Sequence, residues 1–170
     1  NFPPHINQIE ELGLPAEEYA IAMADALAFL HWAPKVDAND VEFVITRPHP
    51  PNQSRSALDS RPGIGSREFT SAFGLHAMWI LDFDCCRELS MDESGIEQAA
   101  KSFWRNDPYY PRPGSSSAQD QELWHVFKTR FLHASGLILK EEDEAVRQLP
   151  GRLVARIIET RGTWTNGLGP

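Results

Sequence analysis

DANDVEFVITR, residues Asp37 to Arg47, is the stretch on which the fold of this 170-residue chain turns. Its first part, DAND, is turn chemistry, and VEFVITR, Val41 to Arg47, has the β-branched and aromatic content of a strand. Immediately upstream, Pro15 followed by AEEYAIAMADALAFLHW reads as a helix. Proline stands at its start, acids fill the first turn, and Tyr19, Met23, Leu27 and Leu30 recur on one side. Pro34 ends that helix, so the chain must reverse between Lys35 and Asp40 before the strand begins. Downstream, HAMWILDF, His76 to Phe83, is apolar enough to be a second strand inside a sheet.

The intervening stretch from Pro48 to about Thr70 offers little that can be buried and predicts a surface loop or disordered insertion over residues 48–70. Its GIGS lacks the length and the lysine of a phosphate-binding loop and reads as a turn. Ser90 with Glu93 forms a capping-box pattern ahead of an apolar stripe of Ile96, Ala99, Ala100 and Phe103, which predicts a helix stopping near Asn106. After the proline-rich connector NDPYYPRPGSSS, the spacing of Leu123, Val126, Phe127, Phe131, Ala134 and Ile138 predicts a long helix. Another runs from about Gly151 to Arg161. The expected fold class is therefore helix-rich α+β, with a short two-stranded sheet carrying the acidic motifs. We expect a single domain over residues 1–170, either whole or the C-terminal part of a larger chain.

Composition narrows the function. A hydrophobic fraction of 41% with five Trp argues for a packed core, and no run approaches the roughly 18 apolar residues that span a bilayer. The opening NFPPHINQIEELG has neither a basic region nor an apolar stretch, so the expectation is a cytoplasmic protein with no membrane partner. A formal charge of −8 disfavours a non-specific DNA binder. Arg147, Arg152, Arg156 and Arg161 nonetheless crowd near the C-terminus, and Arg152 and Arg156 share a helix face as a local basic patch. The only two cysteines, Cys85 and Cys86, are adjacent. They suit neither a disulfide framework nor a zinc site, and the expectation is that both thiols are buried in a reducing compartment, with no metal bound.

The chemistry points to carboxylates. Alternation along a strand puts Asp82 and Asp84 on one face, and Asp40 and Glu42 have the same spacing at the entry to the first strand, with Asp37 in the preceding turn. If the two strands pair, up to five acids meet at one end of the sheet, where like charges raise one another's pKa unless a cation compensates. No nucleophile declares itself: Ser66, Ser90, Ser94 and Thr46 lack a recognisable elbow or neighbouring base.

Two resemblances bear on these motifs. AFLHW, VDANDVEFVI and WILDFD follow the order of the C-terminal lobe of protein kinases and aminoglycoside phosphotransferases, over about residues 15 to 110. That resemblance implies a catalytic role for Asp37 and a metal-holding one for Asp82. Lys35 stands where that superfamily has His, however, Glu42 stands where it has Asn, and no Gly-rich loop or strand Lys precedes the helix. The chain also resembles, over most of its length, a fungal family often labelled zinc-finger proteins. The resemblance is carried by ALAFLHW, DANDVEFV, HAMWILDFDCC and FWRNDPYYPRPG. Some members of that family are arginine-containing cyclodipeptide synthases. The resemblance therefore implies an aminoacyl transfer from arginyl-tRNA and a second aminoacyl-tRNA, with no cofactor. Asp37, Glu42 and Asp82 would be catalytic, Asp40, Asp84 and Asn39 would bind substrate, and Arg152 and Arg156 would meet the tRNA. Paired carboxylates suit a guanidinium, which they bind through two parallel charge-assisted hydrogen bonds. The competing expectations are a kinase-like phosphotransferase or pseudokinase, and an interaction module that docks a partner on WRNDPYYPRP.

Overall fold

The computed structural model describes residues 13–46, 68–71, 74–106 and 110–162. Helix α1 spans Ala16–Trp32, strand β1 Glu42–Thr46, β2 Glu68–Ser71 and β3 Gly74–Leu81. They are followed by α2 Glu93–Arg105, α3 Ala118–Ile138, the single turn α4 Glu144–Arg147 and α5 Leu149–Glu159. The class is α+β, helix-rich, with one antiparallel sheet of strand order β1-β3-β2.

The sheet has three strands where two were expected. EFTS, Glu68–Ser71, lies at the end of the segment read as loop and pairs with the start of β3 through Phe69 opposite His76. Four residues with one buried side chain carry too little alternation to stand out from sequence. The remainder of the expected 48–70 insertion, including GIGS, lies outside the described residues. β1 pairs with β3 as anticipated, Glu42 opposite Leu81 and Val44 opposite Trp79. Opposed residues share a face, so Phe43, Ile80, Ile45 and Met78 turn inward together.

Helix α1 is the spine. Its Tyr19, Ala20, Met23, Ala24, Leu27 and Ala28 are all buried, and it lies along α3. Asp25 there receives two hydrogen bonds from Arg130, at 2.6 and 2.9 Å, and the Trp32 indole donates to Ser135 Oγ at 2.7 Å. Helix α2 packs on α5 in the same manner, with the Trp104 indole donating to the Ile157 carbonyl at 3.1 Å. An aromatic run joins the layers: Phe43 meets Tyr110 at 5.4 Å, Tyr110 stacks on Phe103 at 5.3 Å, and Phe127 continues it to Phe131 at 6.4 Å. Each such ring removed from water contributes on the order of 2 kcal/mol, which makes this column a principal source of cohesion. Among the described residues no helix is long and apolar enough to cross a membrane.

Helix α2 is capped by Asp92, not by the expected Ser90. The Asp92 carboxylate accepts from the backbone N–H groups of Ser94 and Gly95, at 2.9 and 3.2 Å, while Ser90 donates its hydroxyl to Asp92 at 2.8 Å. A carboxylate at a helix N-terminus gains from the helix dipole as well as the hydrogen bonds, which a hydroxyl does not. The Ser94 hydroxyl, which also donates to this carboxylate at 2.8 Å, then that of Ser90 and the backbone N–H groups hold the Asp92 pKa below the usual carboxylate range.

Candidate functional site

The carboxylates converge where β1 begins and β3 ends. Asp40 and Glu42 lead into β1, and Asp82 and Asp84 follow Leu81, the β3 partner of Glu42. All four are exposed. Among the described residues no ion pair joins any of them to a cation. The neighbouring Asp84 carboxyl, first through a hydrogen bond and then through its charge, raises the Asp82 pKa, and Asp40 and Glu42 add to the effect. The same field, with Asp84 foremost, raises the Cys85 thiol pKa. Among the described residues, no cation offsets the negative charge at this end of the sheet.

Backbone strain collects at the same place. Four non-glycine residues adopt left-handed conformations: Lys35, Ala38 and Asp40 with φ of 55, 52 and 66°, and Asp82 with φ of 64°. Among the described residues no other non-glycine residue does so. Each costs of order 1 kcal/mol and persists only where the surroundings impose it. The turn at Asp82 also ends the strand two residues before the expected Phe83, so the strict alternation assumed for Leu81 to Asp84 stops there. Phe83 is exposed like Leu81. Asp82 and Asp84 meet because the chain turns, not because they share a strand face.

The fifth acid behaves differently. Asp37 is 3% exposed and accepts three hydrogen bonds, from the backbone N–H of Asn39 at 3.1 Å, the backbone N–H of Arg87 at 3.0 Å and the Gln98 amide at 2.9 Å. It ties the turn before β1 to the segment after β3 and to α2, and its oxygens face into the fold. Asn39 lies between the two groups, its amide donating to the Cys85 carbonyl at 3.5 Å. Asn106, unremarked in sequence beyond the end of its helix, spans the same turn with its side chain. Its amide donates to the Ala38 carbonyl, and its oxygen accepts from the Asp40 N–H, both at 2.8 Å. Nothing in the local pattern announced Gln98 or Asn106, because their partners lie 61 and 66 to 68 residues away.

The cysteines split. Cys86 is half-buried against the core, and burial pushes its thiol up to about 11, whereas Cys85 is exposed, contrary to expectation. His76 is also committed: it is buried, stacks on Phe69 at 5.8 Å and bonds to the Tyr19 hydroxyl and the Gly74 carbonyl.

The basic patch is on the opposite pair of helices and is neutralised. Arg152 meets Glu93 at 2.6 Å, while Arg156 forms a two-pronged pair with Glu97 at 2.5 and 3.0 Å and reaches Glu159 at 3.6 Å. These pairs wall a groove of about 450 Å³ between α2 and α5. Glu97 raises the Arg156 pKa and is itself held low by Arg156.

Residues 78–143 match the family model DUF3669, described as zinc finger protein. The chain is similar to that family from the middle of β3 through α3, a span that includes Asp82, Asp84 and Asn106. Among the described residues no three His, Cys, Asp or Glu side chains are grouped so as to hold a metal ion. No curated protein matches the chain, and no solved structure does.

Proposed function

We propose that this chain is a tRNA-dependent aminoacyl-transfer enzyme that joins arginine to a second amino acid in a cyclic dipeptide. The observation that carries the reading is the cluster of four exposed carboxylates at one end of the sheet, paired with no cation among the described residues and with left-handed backbone at Asp40 and Asp82. Such a cluster gains most from a ligand that brings positive charge and several N–H donors in a plane, which is the description of a guanidinium. The resemblance of the surrounding motifs to arginine-containing cyclodipeptide synthases supports the same ligand.

In this reading Asp40 and Asp84, with Asn39, hold the guanidinium, and Glu42 and Asp82 take the proton from the attacking amine. The neighbouring Asp84 raises the Asp82 pKa, which strengthens Asp82 as a base. The α-amine of one aminoacyl group attacks the ester carbonyl of the other, forming an amide and releasing one ribose hydroxyl. The remaining α-amine then attacks the second ester, closing the ring and releasing the second tRNA. Each amine gives up a proton and each leaving hydroxyl gains one, so two carboxylates cycling between acid and base suffice, and the activated esters supply the driving force without ATP. Asp37, oriented into the fold by its three hydrogen bonds, acts by shaping the turn. Contact between tRNA phosphates and Arg152 or Arg156 requires those guanidinia to exchange Glu93 and Glu97 for phosphate.

The deciding experiment incubates the protein with arginyl-tRNA and a mixture of other aminoacyl-tRNAs and looks by mass spectrometry for cyclic dipeptides containing arginine. Their formation supports the reading. Their absence, together with no binding of argininamide, overturns it. A second reading, an interaction module, is favoured by the exposure of Val44, Leu81 and Phe83 around the acidic end. A kinase-like phosphotransferase would instead be stabilised against heat by magnesium-ATP.

A further inference from the structure

Asn106 closes α2 as its C-terminal cap, and every polar group it carries is used. Its backbone N–H donates to the Ser102 carbonyl at 2.9 Å, and its own carbonyl accepts from Arg112 at 2.8 Å. Its side chain makes the two bonds to Ala38 and Asp40. The Arg112 guanidinium lies over the Trp104 ring at 5.3 Å, so the partner that fixes the Asn106 main chain is itself seated on the core. The side chain is thus held at one end by a helix terminus while it spans Ala38 to Asp40 at the other. Ala38 and Asp40 are two of the four left-handed residues, and nothing in an alanine or an aspartate favours that conformation enough to hold it alone. An asparagine amide is the one side-chain group of this length that gives and takes a hydrogen bond side by side. It matches the carbonyl of Ala38 and the N–H of Asp40 across the turn.

We infer that Asn106 is a positioning residue for the acidic site, which acts by clamping the Ala38–Asp40 turn so that the Asp40 carboxylate faces Asp82 and Asp84. The inference rests on the reading of those carboxylates as a guanidinium site for its consequence, though not for its geometry. Asn106 is 6% exposed, and its effect passes through the turn that its side chain spans. It opens the stretch NDPYYPRPGSSS, which composition alone marks as a proline-rich connector.

The test uses the full chain with Asn106→Ala and the isosteric Asn106→Asp, which keeps the acceptor for Asp40 but sets a carboxylate against the Ala38 carbonyl. Ser135→Ala, which removes the buried bond from Trp32 between α1 and α3, serves as a control of comparable structural cost away from the site. Without ligand, the carboxyl carbon resonances of Asp40, Asp82 and Asp84 should shift in both Asn106 variants and stay in place in Ser135→Ala. With argininamide as the probe, both variants should bind about tenfold more weakly than wild type, the control equally well. Unmoved carboxyl resonances in the folded Asn106→Asp protein overturn the inference. So does unchanged argininamide affinity. If wild type binds no argininamide while the resonances move as stated, the guanidinium reading fails and the positioning role stands.

Discussion

The acidic end of the sheet and the basic face of α5 are both charge clusters that sequence marks as candidate sites, and the fold treats them in opposite ways. Arg152 and Arg156 find Glu93 and Glu97 one helix away and are neutralised. Among the described residues Asp40, Glu42, Asp82 and Asp84 meet no cation, and Asp82, beside Asp84, holds its proton more tightly in consequence. A charged side chain is available to a ligand when the fold has given it no partner. The difference between the two clusters is one of partnership, not of composition.

Asp37 lies between these cases and gives the largest expected effect. Replacing it by alanine strands two backbone N–H groups and the Gln98 amide inside the fold, and should cost about 3 kcal/mol of stability by urea unfolding. Asp82→Asn should leave the same curve unmoved. A wild-type-like Asp37→Ala would erase the distinction between a structural and an available carboxylate.

The next effect is on activity. With arginyl-tRNA as substrate, Asp82→Asn and Glu42→Gln should each reduce the rate by about thirtyfold or more, with the helical signal unchanged. Full activity in both variants would remove the acidic end from the chemistry. Acid titration provides a third contrast. Burial lowers the His31 pKa from 6.5 to about 4, so the native imidazole stays neutral while the unfolded one takes a proton below about 6.5. Stability should therefore be full above pH 6.5 and fall as pH drops toward 4, by about 2 kcal/mol at pH 5, with His31→Leu flattening the slope. Asp82 acts in the opposite sense: its raised native pKa means that protonation favours the fold as pH falls, weakly because the group is exposed. A slope that persists in His31→Leu would show that other groups govern acid stability.

The smallest effects belong to the basic face. Arg156→Gln should change stability by less than about 1 kcal/mol, since its pairs are solvent-exposed. Glu93→Gln with Glu97→Gln should strengthen tRNA binding in a salt-dependent manner by freeing the two guanidinia. If it does not, the tRNA lies elsewhere.

The sequence by itself determined what depends on neighbours in the chain. The period of Tyr19, Met23 and Leu27, the run of Val41 to Ile45 and the apolar stretch before Asp82 each reflect a local repeat, and the helices and the β1–β3 pairing follow from them. That the acids gather at the end of those strands was legible for the same reason, since pairing two strands brings their ends together. Tertiary structure alone decided which acid is buried and which cysteine faces water. It also decided that EFTS completes the sheet, that Arg152 and Arg156 are paired, and that Asn106 spans the turn at Ala38 and Asp40. Each of these depends on a partner far along the chain. A side chain's burial and its hydrogen bonds are properties of the packed neighbourhood, which no window of adjacent residues contains.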